Sequence, residues 1–226
     1  MAIATKTPRS TNGNASINEV SLIIPRANMQ ILELEIEGIT PYCQHNFSHK
    51  VGMKILEQQV SVSKSRKKEP RNIQEDFEGA KHYSTDGWIG IPASAFRNAM
   101  ISACRLVGYQ MTKAKLSVFV EADGLDRDSG QPLVRLLAEE PEMNQMAVRL
   151  QSGVTSIAIR PLWRVWGAKL RIRFDGDQFR GNDVFNLLDR AGQQVGIGEG
   201  RHDSRSNAGL GWGEFRVIPT ANLINI

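Results

Sequence analysis

A chain of 226 residues, 41% of them hydrophobic, is long enough to bury a substantial core as one large or two small domains. Its 28 Lys and Arg against 24 Asp and Glu leave a net charge of +4 and a pI near 9.2, too small an excess to imply nucleic acid unless the cations cluster. With no apolar run of membrane-spanning length, a polar Met1–Asn14, and Cys43 and Cys104 far apart without CxxC or Cys/His ligand spacing, the expectation is a soluble, cytoplasmic protein, its cysteines reduced and buried, with no membrane partner.

Residues 1–28 carry no sustained periodicity; Thr, Ser, Asn and Gly dominate up to the short apolar piece Ser21–Pro25, which predicts a flexible N-terminal arm or one laid on a neighbouring subunit. Ile31–Glu37 then alternates, with Leu32, Leu34 and Ile36 on one face and three glutamates on the other, the pattern of a half-buried antiparallel strand ended by Gly38. Gly38–Gly90 lacks clean alternation. His45 and His49 in it would suit a metal at i,i+4 on a helix, but Pro41 and Asn46 argue against a helix and no third ligand stands nearby, so no metal is expected. The densest basic run, Lys64, Arg66, Lys67, Lys68 and Arg71, is a solvated loop on one view and a phosphate-contacting finger on the other. Arg71–His82 predicts a short helix with Ile73, Phe77 and Ala80 on one side, and Asp86-Gly87 a tight turn.

Pro92–Val107 is the clearest helix: Phe96, Ala99, Met100, Ala103 and Val107 recur at 3/4 spacing, Pro92 fits the first turn, Gly108 supplies the stop, and Arg97 and Arg105 fall off the stripe. Leu116–Glu121 reads as a strand, Asp123–Gly130 as an acidic hairpin tip without the ligand spacing of a calcium loop, and Val154–Arg160 as strand-like. Trp163–Phe174 alternates again, with Leu170, Ile172 and Phe174 on one face and Lys169, Arg171 and Arg173 on the other; with Arg160 and Arg164 this is a second basic cluster, which solvation alone could also explain. Asn182 is the expected cap of an amphipathic helix whose Val184, Phe185, Leu188 and Ala191 face inward, with Gly192 ending it. Trp212–Ile218 reads as a closing strand.

Between that helix and that strand, Ala191–Val217 holds seven of the chain's 20 glycines among basic and small polar residues. So many glycines are costly to order, which implies a backbone that needs positive φ or close approach. Taken in sequence, the elements give the β-α-β-β-α-β order of a ferredoxin-like or RRM-like α+β domain: an antiparallel sheet with helices on one face and two insertions.

Two segments carry a family resemblance. VGIGEGR, a polar turn with Ser206, and GLGWGEFRV resemble the glycine-rich loop and last strand of the RAMP superfamily of CRISPR-associated proteins. WIGIPASAFRNAMISACR, Trp88–Arg105, is similar to the start of the first helix in the repeating backbone subunits of CRISPR effector complexes. The sequence departs from the family at Ala93-Ser94-Ala95, where a glycine is usual, and at Glu214, where a basic residue is usual. There is also a similarity to proteins encoded by bacteriophages and prophages.

The resemblance implies an arm over residues 1–28 and a RAMP-like domain over 29–226, with insertions at about 38–88 and 122–150. It implies a non-catalytic subunit that binds single-stranded nucleic acid, RNA favoured, and oligomerises along the strand in a homo-oligomer or multi-subunit complex, with no cofactor. Gly196, Gly198, Gly200, Gly209 and Gly211 would bring backbone N–H groups to the phosphodiester chain, with Ser206, Arg201 and Arg205 beside them. Arg97, Arg105, Lys169, Arg171, Arg173 and the Lys64–Arg71 run would complete a groove, and Trp88, Trp163, Trp166 and Trp212 are candidate stacking partners, at least two of them more naturally core. Tight packing of the loop is the plainer alternative for its glycines. Two further functions stay open: a metal-independent endoribonuclease with His202 as acid or base, ahead of His45, His49 and Asp123, and a phage structural or assembly protein of the same fold.

Overall fold

A computed structural model of the chain describes residues 24–46, 71–149, 155–204 and 209–225. In chain order these form β1 (Met29–Gly38), β2 (Tyr42–Cys43), α1 (Ile73–Gly79), β3 (Gly90–Pro92), α2 (Ala93–Ala103), α3 (Met111–Ser117), β4 (Val118–Val120), β5 (Gly124–Leu125), β6 (Pro132–Arg135), β7 (Leu137–Ala138), β8 (Glu142–Arg149), β9 (Thr155–Trp163), β10 (Trp166–Asp175), α4 (Gly181–Arg190) and β11 (Phe215–Asn225).

The main sheet runs β11-β1-β10-β4, every neighbouring pair antiparallel, with Leu34 opposite Leu170, Ile36 opposite Val217 and Ile172 opposite Val120. Two β-α-β units interlock here: α2 lies between β1 and β4 in sequence, and α4 between β10 and β11. That order and direction define the ferredoxin-like α+β topology. Both strand periodicities are as expected: Leu32, Leu34, Ile36, Leu170, Ile172 and Phe174 are at most 3% exposed, and they pack with Phe96, Met100, Val184 and Leu188 of the two helices in one core. Smaller sheets, β2-β9-β8 and β3-β6-β5, are added beside it.

Trp163 and Trp166 are core residues, each 2% exposed, flanking the Tyr42 ring at 5.7 and 5.1 Å. Trp166 Nε1 donates to the Thr40 carbonyl at 2.8 Å, which anchors the turn between β1 and β2. Trp88 and Trp212 are half-buried.

Several element boundaries differ from those read in the sequence. The expected strand Leu116–Glu121 is present as Val118–Val120, which pairs with β10, but its first two residues, Leu116 and Ser117, end helix α3, with Leu116 79% exposed. The helix after Pro92 tightens at Cys104 into a 3₁₀ turn, which swings Val107 out of the apolar stripe to 51% exposure before Gly108 stops it at φ +68°. Asn182 is not the cap of α4: Arg180 is, its N–H bonded to Asp183 Oδ2 at 2.9 Å. Gly192 does not end that helix either, because its missing side chain lets Ala191–Val195 continue as a π turn against Phe215. Asp126, in the stretch read as an acidic tip, is 2% exposed. The β5-β6 hairpin itself is present.

Candidate nucleic-acid groove

The glycine-rich stretch is laced into the fold at both ends. The π turn closes with Gly196 N–H on Ala191 O at 2.9 Å; Ile197 N–H then bonds Gly213 O at 3.0 Å, Glu199 N–H bonds Cys43 O at 2.9 Å, and Gly213 N–H bonds Pro41 O at 2.8 Å. Two glycines are required sterically. Gly213 has φ +74°, and a Cβ there would lie 1.8 Å from Ile197 O; Gly198 has φ +79°, and its Cβ would lie 2.5 Å from Cys43 O. The loop is therefore a rigid crossing of two chain segments, which the tight packing of its glycines makes possible.

A groove of about 640 Å³ lies between this loop and the start of α2. Val195–Glu199, Arg201, Asp203 and Ser204 form one wall; Pro92, Ser94, Ala95 and Asn98 form the second. No side chain caps α2, so its first-turn N–H groups have no intrahelical acceptor. A latch holds the two walls together: Asp203 accepts from the Ser102 hydroxyl and from Arg105, whose Nη2 lies 2.9 Å from both carboxylate oxygens. The Ser102 hydroxyl, helped by Arg105 and opposed by partial burial, holds the Asp203 carboxyl below the usual carboxylate range.

The third wall contains His45, Asn46, His82, Ser129 and Gln131. His82 Nδ1 lies 3.0 Å from Asp126 Oδ2, and the Gln131 amide is 3.0 Å from the same nitrogen. Asp126 Oδ1 accepts from the N–H groups of Asp128 and Ser129 and from the Ser129 hydroxyl at 2.8–3.0 Å. Burial raises the Asp126 carboxyl, but these bonds and the His82 contact outweigh it and hold the group below its ordinary value. Burial lowers His82, against the opposing hydrogen bond and charge of Asp126. Gln44, 2% exposed, fixes this wall by accepting from His82 N–H at 3.0 Å and donating to Gly90 O at 2.7 Å.

Arg160 Nε donates to Glu199 Oε2 at 2.6 Å, and its Nη2 lies 3.3 Å from His45 Nδ1. Burial, then the Arg160 charge, lowers His45, with Glu199 acting in the other direction and His82 adding to the lowering. Burial and the Glu199 charge together push the neighbouring Cys43 thiol up to about 12, which makes it inert.

Of the residues singled out in the sequence, Gly196, Gly198 and Arg201 line the groove, with Arg201 Nη1 donating to Gly198 O at 2.9 Å. Gly200 packs on Trp212, while Gly209 and Gly211 lie on the outgoing limb. Arg105 serves the latch. Arg97 turns away, donating to Val118 O at 3.0 Å and lying over Phe119. Lys169, Arg171 and Arg173 stand on the opposite, open face of the sheet, on Glu35 (2.7 Å) and Glu121 (3.5 and 3.1 Å). Arg71 pairs with Asp76 at the start of α1. His202 sits beside Glu214, Nε2 to Oε1 2.6 Å, outside the groove lining. Arg205, Ser206, Lys64, Arg66, Lys67, Lys68, His49 and most of the N-terminal arm lie outside the described residues.

The His82–Asp126–Gln131 wall was missed in the sequence; its one local signal was the Asp126-x-Asp128-Ser129-Gly130 spacing of a side-chain-capped turn. Among the described residues, no group of three metal-ligating side chains occurs and no helix is long and apolar enough to cross a membrane.

The chain is thus a ferredoxin-like domain with a glycine loop facing an uncapped helix across a groove, a class defined by its strand order and groove geometry. No protein-family model matches it, and no curated protein matches it in sequence. Among solved structures it is similar to a chain of the Type III-B Cmr-beta complex, determined by cryo-EM bound to cognate target RNA, at 11% identity and a TM-score of 0.44, covering 88% of this chain and 61% of that one. The chain therefore spans less than two thirds of the length of that neighbour.

Proposed function

We propose that this chain binds single-stranded nucleic acid, RNA in preference to DNA, by its sugar–phosphate backbone, in the groove between the glycine loop and the start of α2. One observation carries the proposal: an uncapped 11-residue helix opens onto the same groove as a rigid loop with glycines at positive φ. The first-turn N–H groups and the positive end of the helix dipole favour an anion. The glycines let a polymer backbone approach, and Arg201 adds a fixed charge beside them. Ser94, Asn98 and Gln131 are neutral groups of the kind that meet a 2′-hydroxyl. Glu199 and Asp203 offset part of the positive charge, which favours moderate affinity and discourages indiscriminate attraction to polyanions. Assembly of copies side by side along the strand, in a homo-oligomer or a multi-subunit complex, belongs to the same proposal and is supported by the family resemblance of the two groove-forming segments.

Fluorescence anisotropy of a labelled oligoribonucleotide, titrated at several salt concentrations, tests it. Affinity should fall steeply with salt, and Arg201→Ala should weaken binding by about tenfold while lowering the salt slope by about 0.7, the value for one lost phosphate contact on a single strand. A salt-insensitive interaction, or unchanged binding by the Arg201 variant, would defeat the proposal.

A further inference from the structure

A strand held by its phosphates at the first turn of α2 passes the second turn of the same helix, where Asn98 lines the groove. Ser94 and Asn98 stand one helical turn apart, so they share a face; both are exposed, and among the described residues neither side chain has a hydrogen-bond partner. Asn98 has more to offer than a 2′-hydroxyl uses, because an amide presents a donor and an acceptor side by side. That pair matches the edge of a base, where donor and acceptor also stand together.

The wall across the groove is fixed. Asp126 and Gln44 are each 2% exposed. Asp126 accepts from Ser129 and Asp128 and contacts His82, while Gln44 joins His82 N–H to Gly90 O. A base entering between this wall and α2 meets groups that do not rearrange, which is the condition for telling one base from another. The lining also contains three aromatic rings, and they differ in access: Tyr42 and His82 are 2% and 6% exposed, whereas the His45 side chain is 46% exposed. His45 is held at Nδ1, with Arg160 Nη2 at 3.3 Å and Glu199 Oε2 at 3.6 Å. A ring fixed at its edge and open to solvent is a platform on which an unstacked base can lie.

We infer that the groove reads bases as well as backbone and prefers adenine, with the Asn98 amide pairing to the base edge and His45 stacking on its face. The inference rests on the binding proposal, which brings the strand into the groove. The 6-amino group of adenine stands between N1 and N7, so a donor lies beside an acceptor on both edges of the base, and the amide closes two hydrogen bonds whichever edge enters. The other bases offer such a pair on one edge only. Pyrimidines have no N7, and on the N7 edge of guanine both groups are acceptors. A groove of about 640 Å³ is of the size that encloses a whole small ligand, so the base can enter with its sugar and phosphate.

The test is fluorescence anisotropy of the full chain, at neutral pH and several salt concentrations, with labelled oligoadenylate, oligouridylate and oligocytidylate of equal length. A fourth strand carries purine riboside in place of adenosine and so lacks the 6-amino group. Oligoadenylate should bind about tenfold tighter than the other three, and all four should share one salt slope, because their phosphates are the same. Asn98→Ala, at an exposed position on the helix surface, should bring the four affinities to within about twofold of one another and leave the salt slope unchanged. His45→Ala should weaken every strand by about tenfold and keep the ratio between them, since every base has a face to stack. Equal affinities in the wild type, a preference for a pyrimidine strand, an adenine preference that survives loss of the 6-amino group or of Asn98, or unchanged binding by His45→Ala overturns the inference and leaves the binding proposal standing. Binding of none of the four strands overturns both.

Discussion

The open face of the main sheet carries three cations, Lys169, Arg171 and Arg173, and the lining of the glycine-loop groove one, Arg201, and the fold treats them differently. On the sheet, Lys169, Arg171 and Arg173 rise from β10 opposite the glutamates of β1 and beside Glu121, so the exposed face is a lattice of neighbouring opposite charges with little net field. In the groove, charged side chains stand beside groups that carry no formal charge: the start of α2, which no side chain caps, and loop glycines at positive φ. Its arginines are held by carboxylates and carbonyls in fixed positions. Clustering of cations along a sequence is therefore a poor guide to the net field of a surface. What matters is whether the strand opposite supplies the counter-charge.

The contrast breaks most severely if the loop's shape is not required. Gly213→Ala places a Cβ 1.8 Å from Ile197 O at φ +74°, which should cost about 3 kcal/mol or more in urea unfolding. Gly209→Ala, at φ +95° with open space around it, should cost only the left-handed penalty of about 1 kcal/mol. Equal costs at the two positions would mean that the crossing of the two loop limbs is not a constraint, and the groove would lose its rigid wall.

Binding sharpens the contrast next. Replacing Lys169, Arg171 and Arg173 together by alanine should change RNA affinity by less than about twofold, because each cation is already matched and screened. Arg201→Ala alone should change it by about tenfold. The reverse ranking, measured by anisotropy at one salt concentration, would move the interface to the sheet face.

Legibility followed the same divide. The strand Ile31–Glu37, the helix after Pro92 and the β10 alternation could be read because each buries one face, so their period is written in the apolar residues. The loop could be read as conformationally demanding because glycine at such density is too costly to order unless positive φ or close approach requires it. The groove's third wall could not. His82, Asp126 and Gln131 come together only because the β5-β6 hairpin folds back on the segment before β3, with Asp126 N–H bonded to Gln131 O and Ser84 paired with Asp126. No local period encodes that contact. The cap of α4 was misplaced for a related reason: Asn182 has the favoured side chain, yet Asp183 bonds the Arg180 N–H from inside the first turn.

The smallest effect concerns acid, and it separates the two regions by their burial. His82 and His45 are both lowered from 6.5 in the folded chain. The unfolded chain then binds more protons as pH drops below about 6.5. The stability from keeping these rings neutral is present above that pH and is lost progressively as pH falls toward their folded values. Asp126 has the same sign in a lower window: its contribution is present above 3.8 and lost as pH falls through its depressed folded value. Urea unfolding at about pH 7.5 and about pH 5.5 should therefore show lower stability at the acid condition. His82→Gln should flatten the difference in part, with His45 supplying the remainder. The sheet-face pairs are solvent-exposed, so added salt at neutral pH should leave stability nearly unchanged. Parallel pH slopes for the wild type and His82→Gln, or a loss of stability that follows salt instead of pH, would show that the exposed lattice and not the buried histidine wall responds to charge.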